Sequence, residues 1–152
     1  MNELIHKAAV LLEALPYIQR FSGERFVVKY GGSFMDSPDP AVRQGVARDM
    51  VFLEAVEINP VVVHGGGKAI SRAMKEAGMD PVFNQGHRVT CKDTVSLVHE
   101  VLSHQINPEI VATINALGGV AKGFPGTEIF TCRKNRFRDK MAKGWILGLW
   151  AR

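Results

Sequence analysis

The sequence is poor in cysteine, with only Cys91 and Cys132 among its 152 residues. Neither has the spacing of a zinc site or a redox pair, and two free thiols are typical of a reducing compartment. No apolar run approaches the roughly 20 residues that cross a membrane. The first residues also lack the basic patch and apolar core of a secretory signal. We therefore expect a cytoplasmic protein with no membrane contact.

Familiar nucleotide and metal motifs are missing as well. A Walker loop places a glycine five residues before its Gly-Lys pair and Ser or Thr after it, but Val62 and Ala69 stand there in this sequence. The third glycine of a dinucleotide fingerprint is also absent at its proper spacing. His99-Glu100 and His104 are similar to a zinc helix, yet His104 comes one residue too late for both histidines to share a helical face. We predict no metal site.

The basic charge is concentrated in the last 21 residues. The formal net charge is +4, but residues 1–131 hold 12 basic and 14 acidic residues, a net charge of −2. The tail from Cys132 onward has one acid, Asp139, and seven basic residues: Arg133, Lys134, Arg136, Arg138, Lys140, Lys143 and Arg152. A nucleic-acid binder is therefore an unfavoured alternative, because the body of the chain is slightly acidic.

Two short apolar runs end abruptly in glycines. They are Phe26-Val-Val-Lys-Tyr-Gly-Gly-Ser33 and Pro60-Val-Val-Val-His-Gly-Gly-Gly67. Such runs predict two buried parallel strands, with a helix from Asp39-Pro40 between them as a right-handed β-α-β unit. The expected class is α/β, with three α/β/α layers around a mainly parallel central sheet.

The glycines after both strands predict anion-binding turns. Gly31 and Gly32, and likewise Gly65, Gly66 and Gly67, allow the backbone to approach a phosphate or carboxylate closely. Lys29 reaches the same strand end, where a phosphate would bind; a lysine extending to solvent at a sheet edge is the alternative. Arg88 has the fork that grips a carboxylate, although a solvated surface arginine is common.

Further elements follow from periodicity and turn chemistry. We expect a leading helix over 3–15 that ends at Pro16. A helix over 68–77 should end at Gly78, and irregular or hairpin structure should cover Asp80 to Gly86, just before His87-Arg88-Val89-Thr90. Thr90 to Asp93 is similar to a capping box, and Asn107-Pro108 predicts another helix start, with that helix ending at Gly118-Gly119. A third strand is expected near Val120 to Lys122, and an edge strand over Glu128 to Cys132.

Several of these sequence segments resemble those of the acetylglutamate kinases of the amino-acid kinase family. The similar segments run in family order over roughly residues 5–131, and are Ala14-Leu-Pro-Tyr-Ile-Gln-Arg-Phe21, Val27-Val-Lys-Tyr-Gly-Gly-Ser33, Val61-Val-Val-His-Gly-Gly-Gly67, Gly86-His-Arg-Val-Thr90 and the helix from Asn107 to Gly119. The leading helix, residues 1–21, resembles that of the arginine-inhibited hexameric branch.

The resemblance implies ATP-dependent phosphorylation of the side-chain carboxylate of N-acetyl-L-glutamate in arginine biosynthesis. Lys29 would be the catalytic residue, and would bind the phosphates of ATP together with Gly31 and Gly32. Gly65, Gly66, Gly67 and Arg88 would bind acetylglutamate. ATP with Mg²⁺ would be the co-substrate, and no tightly bound cofactor is expected. A homo-oligomer is implied, a dimer or in full-length form a hexamer, with arginine as a feedback inhibitor.

The resemblance also suggests a division of the chain. Residues 1–131 would form the acetylglutamate-binding and dimerisation domain, while the C-terminal ATP-binding domain would be absent. One choice of codons for residues 144–152, read two bases further on, spells Met-Asp-Leu-Gly-Phe-Val-Gly-Glu, which is similar to the next strand of the family. Residues 132–152 are therefore expected to be an out-of-frame or non-native continuation, and the chain a truncated, inactive form.

Two other functions remain open. The first alternative is another amino-acid kinase, acting on carbamate, glutamate or aspartate. The second is a non-catalytic fragment that binds an acidic metabolite. The Arg-Val-Thr segment at Arg88 and the leading helix favour the acetylglutamate enzyme over the other kinases.

Overall fold

The computed structural model describes residues 2–35, 37–84, 86–138 and 145–151. The helices are α1 Asn2–Phe21, α2 Gly32–Met35, α3 Pro40–Ala55, α4 Gly67–Glu76, α5 Lys92–His99, a π-helical segment Glu100–Ile106, α6 Asn107–Ala116 and α7 Gly126–Ile129. The strands are β1 Arg25–Tyr30, β2 Asn59–His64, β3 Phe83–Asn84, β4 His87–Arg88, β5 Cys132–Arg138 and β6 Trp145–Ala151. None of the described helices is long and apolar enough to span a membrane.

The chain divides into two compact units. The first unit comprises Met1–His64 with Thr113–Val120, and the second comprises Gly65–Ala112 with Ala121–Arg152. Lys29 therefore belongs to the first unit, and Arg88 belongs to the second.

The first unit contains the predicted β-α-β arrangement. Strands β1 and β2 pair in parallel, from Arg25 opposite Asn59 to Tyr30 opposite His64. Helix α3 lies between them in the chain and begins after Asp39, whose carboxylate accepts a hydrogen bond of 2.8 Å from the Ala41 N–H. The Asp39 cap is confirmed, because it satisfies an N–H that has no partner within the helix. The α/β class with a parallel sheet is confirmed as well.

The burial predicted for these strands is wrong. Tyr30 is the buried residue of β1, whereas Val27 is 74% exposed, and Val61 and Val63 of β2 are about half exposed. A strand becomes buried on both faces only when other elements cover both sides of its sheet. The first unit buries only the end of β1, and its buried apolar residues are Tyr30, Ala47, Met50, Ile58 and Ile114.

Helix α1 continues through Pro16, so the predicted end of the helix at that residue is wrong. Pro16 lies inside the 20-residue helix, none of whose residues is buried. A proline inside a helix leaves the carbonyl of residue i−4 without its N–H donor. On an exposed helix water can hydrate that carbonyl, so the helix can continue at lower cost than in a packed interior.

The second unit is built on α4, the β3–β4 hairpin and a long helical run. Its buried apolar residues are Ile70, Met74, Val101 and Ile106. Helix α4 ends where predicted: Gly78 has a positive φ of 72°, and the Met79 N–H donates to the Met74 carbonyl at 2.8 Å. The left-handed conformation is easily reached by glycine and closes the last turn. The hairpin expected before Thr90 is confirmed by the antiparallel pair of β3 and β4.

Helices begin close to both predicted starts in this unit, but neither predicted cap forms. Helix α5 begins after Cys91, which makes no side-chain cap, and the Thr90 hydroxyl donates instead to the Arg88 carbonyl at 3.0 Å. Helix α6 begins at Asn107 as predicted, but it continues the run of the π-helical segment, with the Asn107 N–H donating to the Leu102 carbonyl five residues earlier. Pro108 has no N–H to donate, so it fits next to a turn whose hydrogen-bond register is already changing.

The remaining strand predictions are also wrong. Residues 120–122 are irregular, and Val120 is 92% exposed. Glu128 lies in α7, while the strand that begins at Cys132 pairs antiparallel with β6. The end of α6 does follow expectation, because Gly118 has a φ of 91° and the Gly119 N–H donates to the Ile114 carbonyl at 3.1 Å.

Candidate functional site

The two parallel strands end at the same level before their glycines. Lys29 pairs in register with Val63, and Tyr30 pairs with His64. The Lys29 side chain is exposed. A Cβ added at Gly31 would meet no atom within 4 Å, so the backbone there is open to an approaching group. Gly32 follows as the first residue of α2. The predicted phosphate residues therefore lie on an open strand end of the first unit.

The three glycines after β2 differ in their surroundings. A Cβ on Gly66 would come within 2.5 Å of Ile106 Cδ1 and within 2.8 Å of Leu102 Cδ2, whereas Gly65 and Gly67 face open space. Gly66 is therefore a packing glycine, which lets the helical run approach the turn. Gly65 and Gly67 leave room for a ligand beside the backbone.

The start of α4 has backbone donors available. No side chain caps this helix, and its first helical hydrogen bond runs from the Ile70 N–H to the Gly66 carbonyl at 2.8 Å. The N–H groups that precede Ile70 in the helix have no acceptor within its own turn. Such a turn favours an anion through these donors and the helix dipole.

Arg88 is tied to the first two turns of α4. Its Nη2 donates to the Gly67 carbonyl at 3.0 Å and to Ser71 Oγ at 2.7 Å, and its Nη1 lies 3.1 Å from Met74 Sδ. The guanidinium also stacks over the Phe83 ring, at 4.7 Å from its centroid. Arg88 is therefore half-buried and oriented, unlike a freely solvated surface arginine. Its partial burial lowers the pKa of the guanidinium, which still stays charged near neutral pH.

An open cavity of about 670 Å³ surrounds this arginine. Its walls are mostly from α4 and are strongly basic, with one acid. They comprise Gly67, Lys68, Ser71, Arg72, Lys75, Glu76, Phe83 and Arg88. A cavity with four cations and a single carboxylate favours an acidic small molecule over a neutral one.

Cys91 lies exposed at the start of α5, near this hairpin in sequence. Its Sγ is 3.1 Å from the Oγ1 of Thr94, a buried polar residue with 3% exposure. The hydrogen bond from the Thr94 side chain lowers the pKa of the Cys91 thiol, and the Thr94 and Asp93 backbone N–H groups add to the effect. Thiolate chemistry at this position is thereby favoured relative to an ordinary cysteine.

His99 and His104 share one face of the helical run, so the prediction that they lie on different faces is wrong. The rings of His99 and His104 contact at 5.2 Å between centroids, because the π-helical segment brings residues five apart onto one face. His104 Nδ1 also lies 3.2 Å from Glu100 Oε2. Among the described residues, however, no group of three or more His, Cys, Asp or Glu side chains could hold a metal ion.

The predicted site residues fall into two groups. Lys29, Gly31 and Gly32 lie in the first unit, and Gly65, Gly66, Gly67 and Arg88 lie in the second. Within the second unit the structure brings Arg88 to Gly67 directly. Sequence reasoning missed Ser71, which contacts both. The available signal was its position four residues after Gly67, on the same side of the helix.

Comparison with known proteins identifies the family. The family model described as the amino acid kinase family matches residues 24–144. Acetylglutamate kinase from Akkermansia muciniphila is 44% identical over 97% of this chain and 49% of its own length. The enzyme of Halothermothrix orenii is 46% identical over 92% and 48%, and that of Aquifex aeolicus is 53% identical over 78% and 39%. The chain spans about half the length of these curated relatives.

Solved structures agree on the fold. N-acetylglutamate synthase from Neisseria gonorrhoeae, complexed with coenzyme A and N-acetyl-glutamate, superposes with a TM-score of 0.61 at 23% identity, over 83% of this chain and 28% of that one. The same enzyme with coenzyme A and L-arginine gives a TM-score of 0.62 at 22% identity, over 93% and 34%. At such identities the likeness shows the fold only. Since the family model matches well over half of its residues, the chain belongs to the amino acid kinase family.

Proposed function

We propose that the chain is the N-acetyl-L-glutamate-binding part of an acetylglutamate kinase of arginine biosynthesis. One observation carries this proposal: the guanidinium of Arg88 is already oriented against Gly67, at the uncapped start of α4, inside a basic cavity. A fixed guanidinium charge and a row of backbone donors form a receptor for a carboxylate. The identity of 44% to 53% with acetylglutamate kinases indicates which acid it receives.

In the proposed binding mode Arg88 grips one carboxylate of acetylglutamate. The backbone N–H groups at Gly65, Gly66 and Gly67 bind other oxygens of the ligand, and the open space beside Gly65 and Gly67 admits it. Because Arg88 is oriented before the ligand arrives, less conformational entropy is lost on binding. The receptor thus fixes the acceptor carboxylate for phosphoryl transfer.

Lys29 is the proposed catalytic residue for that transfer. An anionic carboxylate must approach an anionic phosphoryl group, so positioning and charge neutralisation supply most of the catalysis. Lys29 would neutralise charge on the transferring group, with Gly31 and Gly32 beside the same phosphates. ATP enters with Mg²⁺ as its co-substrate complex, the usual form in which phosphoryl-transfer enzymes bind it.

In the proposed function, residues 1–131 form the acetylglutamate-binding domain. The family match continues to residue 144 and so crosses the boundary predicted at 131, which stays a prediction. The resemblance assigns most of the ATP pocket to the half of the relatives that this chain does not match. We therefore propose acetylglutamate binding for these residues, and a hydroxylamine trapping assay for acetylglutamyl phosphate measures whether they also complete the transfer.

Isothermal titration of the chain with a panel of acids tests the function. N-acetyl-L-glutamate should bind at least tenfold more tightly than N-acetyl-L-glutamine, L-glutamate, L-aspartate or carbamate, because each of these lacks an acidic or acetyl group that the site would contact. Stronger binding of glutamate, aspartate or carbamate would assign the chain to another amino-acid kinase. Equal binding of all the acids would reduce the site to a general anion receptor.

Helix α1 supports a proposed homo-oligomer. Its apolar side chains are exposed, with Leu4 at 71%, Ile5 at 61% and Leu12 at 68%. A helix that presents such a stripe gains stability by burying it against a second protomer. Arginine feedback inhibition and a cytoplasmic location are part of the same proposal.

Light scattering after gel filtration checks the role of α1. The double variant Leu4→Asp with Leu12→Asp should shift the protein to smaller species, since each aspartate would have to be buried in the contact. The matched control is His6→Asp, which adds one carboxylate to the opposite side of the same helix. An unchanged mass for the double variant would remove α1 from the contact.

A further inference from the structure

Among the described residues, Ser71 is the side chain that joins Arg88 to the glycine turn by two hydrogen bonds. Its hydroxyl donates to the Gly67 carbonyl at 2.9 Å and accepts from Arg88 Nη2 at 2.7 Å. Arg88 Nη2 donates to the same Gly67 carbonyl at 3.0 Å, which closes a ring of three groups. In this ring every donor faces an acceptor, so the arrangement is consistent with the chemistry of each group.

The ring determines which donors of Arg88 remain for a ligand. A guanidinium has five N–H groups. Two on Nη2 are taken by Gly67 and Ser71, and one on Nη1 points at the Met74 sulfur. A thioether is a weak hydrogen-bond acceptor, and the Phe83 ring contacts only the face of the guanidinium. Neither contact therefore restricts rotation of the guanidinium within its plane. The bond to Ser71 is the shorter of the two bonds of Nη2, and together with the bond to the Gly67 carbonyl it fixes the plane of the guanidinium. Among the contacts of the described residues, the Nε–H and the second N–H of Nη1 are left for a ligand.

We propose that Ser71 is a positioning residue, whose hydroxyl orients Arg88 for the carboxylate of N-acetyl-L-glutamate. This inference rests on the proposed function, since it names a residue that serves the same site. Ser71 acts through Arg88 and through the Gly67 carbonyl, which is part of the turn that receives the ligand. Without the hydroxyl, Arg88 would rotate more freely and would have to be ordered each time a ligand binds.

The chain offers a matched control for the substitution. Ser96 in α5 makes the same local bond as Ser71, from its hydroxyl to the carbonyl four residues earlier, at 3.4 Å to Lys92. It contacts no arginine among the described residues. Ser71→Ala and Ser96→Ala therefore remove equivalent local bonds, and differ in the loss of the Arg88 contact.

The experiment measures Arg88 and the ligand separately on the whole chain. Nuclear magnetic resonance of the arginine guanidinium groups reports rotation about the Cζ–Nη bonds without any ligand. Isothermal titration then gives the Kd for N-acetyl-L-glutamate. We expect Ser71→Ala to speed the Arg88 rotation severalfold and to raise Kd about tenfold, the usual effect of losing a hydrogen bond to a charged group. Ser71→Thr should restore both, and Ser96→Ala should change neither.

Two results would overturn the inference. One is a Kd for Ser71→Ala within twofold of the unaltered chain; the other is an unchanged rotation of Arg88 in that variant. A different result would reject the proposed function instead: the unaltered chain fails to bind acetylglutamate, while Ser71→Ala still frees Arg88. In that case Ser71 still orients Arg88, and the ligand of the site is an acid other than N-acetyl-L-glutamate. Thermal melting of each variant separates these effects from loss of folding.

Discussion

The two units of this chain hold their charged residues in opposite ways. Lys29, in the first unit, extends from an open strand end and is exposed. Arg88, in the second unit, is fixed by Gly67, Ser71, Met74 and Phe83. An oriented charge can bind a carboxylate at low entropic cost, while a flexible lysine can follow a phosphoryl group as it moves. In the proposed function, recognition therefore falls to the second unit and charge neutralisation to the first.

Replacing Arg88 is the strongest way to break this contrast. Arg88→Gln should raise the Kd for N-acetyl-L-glutamate by about 30- to 100-fold, or roughly 2–3 kcal/mol, because the carboxylate loses its charge-assisted contact with the guanidinium. Isothermal titration measures the change. Arg48→Gln, on the exposed side of α3, is the control and should leave Kd unchanged. A loss of less than threefold for Arg88→Gln would take the recognition role away from this residue.

Substitutions in the glycine turn should have the next largest effect, which is an effect on the stability of the fold. Gly66→Ala should lower the free energy of unfolding by about 1–3 kcal/mol, because its Cβ would overlap Ile106 and Leu102. Gly67→Ala meets no atom and should leave stability within about 1 kcal/mol, yet weaken acetylglutamate binding. Urea unfolding and titration of both variants compare the two positions. If both variants were equally unstable, the distinction between a packing glycine and an open one would fail.

Cys91 provides a smaller test of fixed side chains in the second unit. Thr94→Val removes the hydroxyl that lowers the pKa of this thiol, so the pKa should rise toward its ordinary value. At pH 7.5 less thiolate is then present, and alkylation by iodoacetamide should slow by a few fold. The rates should converge at a pH above both pKa values. The assay uses a Cys132→Ser background, and an unchanged rate at pH 7.5 would show that Thr94 does not tune the thiol.

Lys29 should give the smallest effect on acetylglutamate binding. Lys29→Ala is expected to change Kd by less than twofold, because the proposed partner of Lys29 is the phosphoryl group and not the acid. The same titration measures it, alongside Arg88→Gln. A loss of fivefold or more would place Lys29 in recognition and erase the difference between the two units.

Features governed by neighbouring residues could be predicted from the sequence. The Asp39 cap, the glycine ends of α4 and α6, and the parallel strands before Gly31 and Gly65 follow from local backbone chemistry. The cap and the glycine ends depend on residues within one or two turns of the chain, and each strand depends on its own apolar run, although the pairing of the two strands joins residues 34 apart. The class of the fold follows from them, because a strand, a helix and a second parallel strand can be connected in few ways.

Features governed by distant partners could not be predicted. Asn107 looks like a helix cap, but its side chain donates to the Phe124 carbonyl at 3.2 Å while the π-helical register carries the helix past Pro108. Val120 looks like a strand residue, but among the described residues it has no strand beside it. Burial of β1 was also overstated, since an apolar pattern does not say which elements cover a sheet.

The candidate site was predictable in its residues and not in its arrangement. Lys29, the five glycines and Arg88 stand out by residue type and position. The hydrogen bond from Arg88 to Ser71 joins residues 17 apart in the chain and depends on how the hairpin packs against α4. The position of Ser71 four residues after Gly67 indicates its contact with the turn, but no local rule connects it to Arg88.

The most direct test of recognition by the second unit is an amide and guanidinium resonance titration of the whole chain with N-acetyl-L-glutamate. The account predicts saturable shifts of the Gly65, Gly67 and Arg88 signals, with Lys29 and its strand nearly unchanged. Shifts confined to Lys29 and its neighbours, or no saturable shift at Arg88, would contradict it.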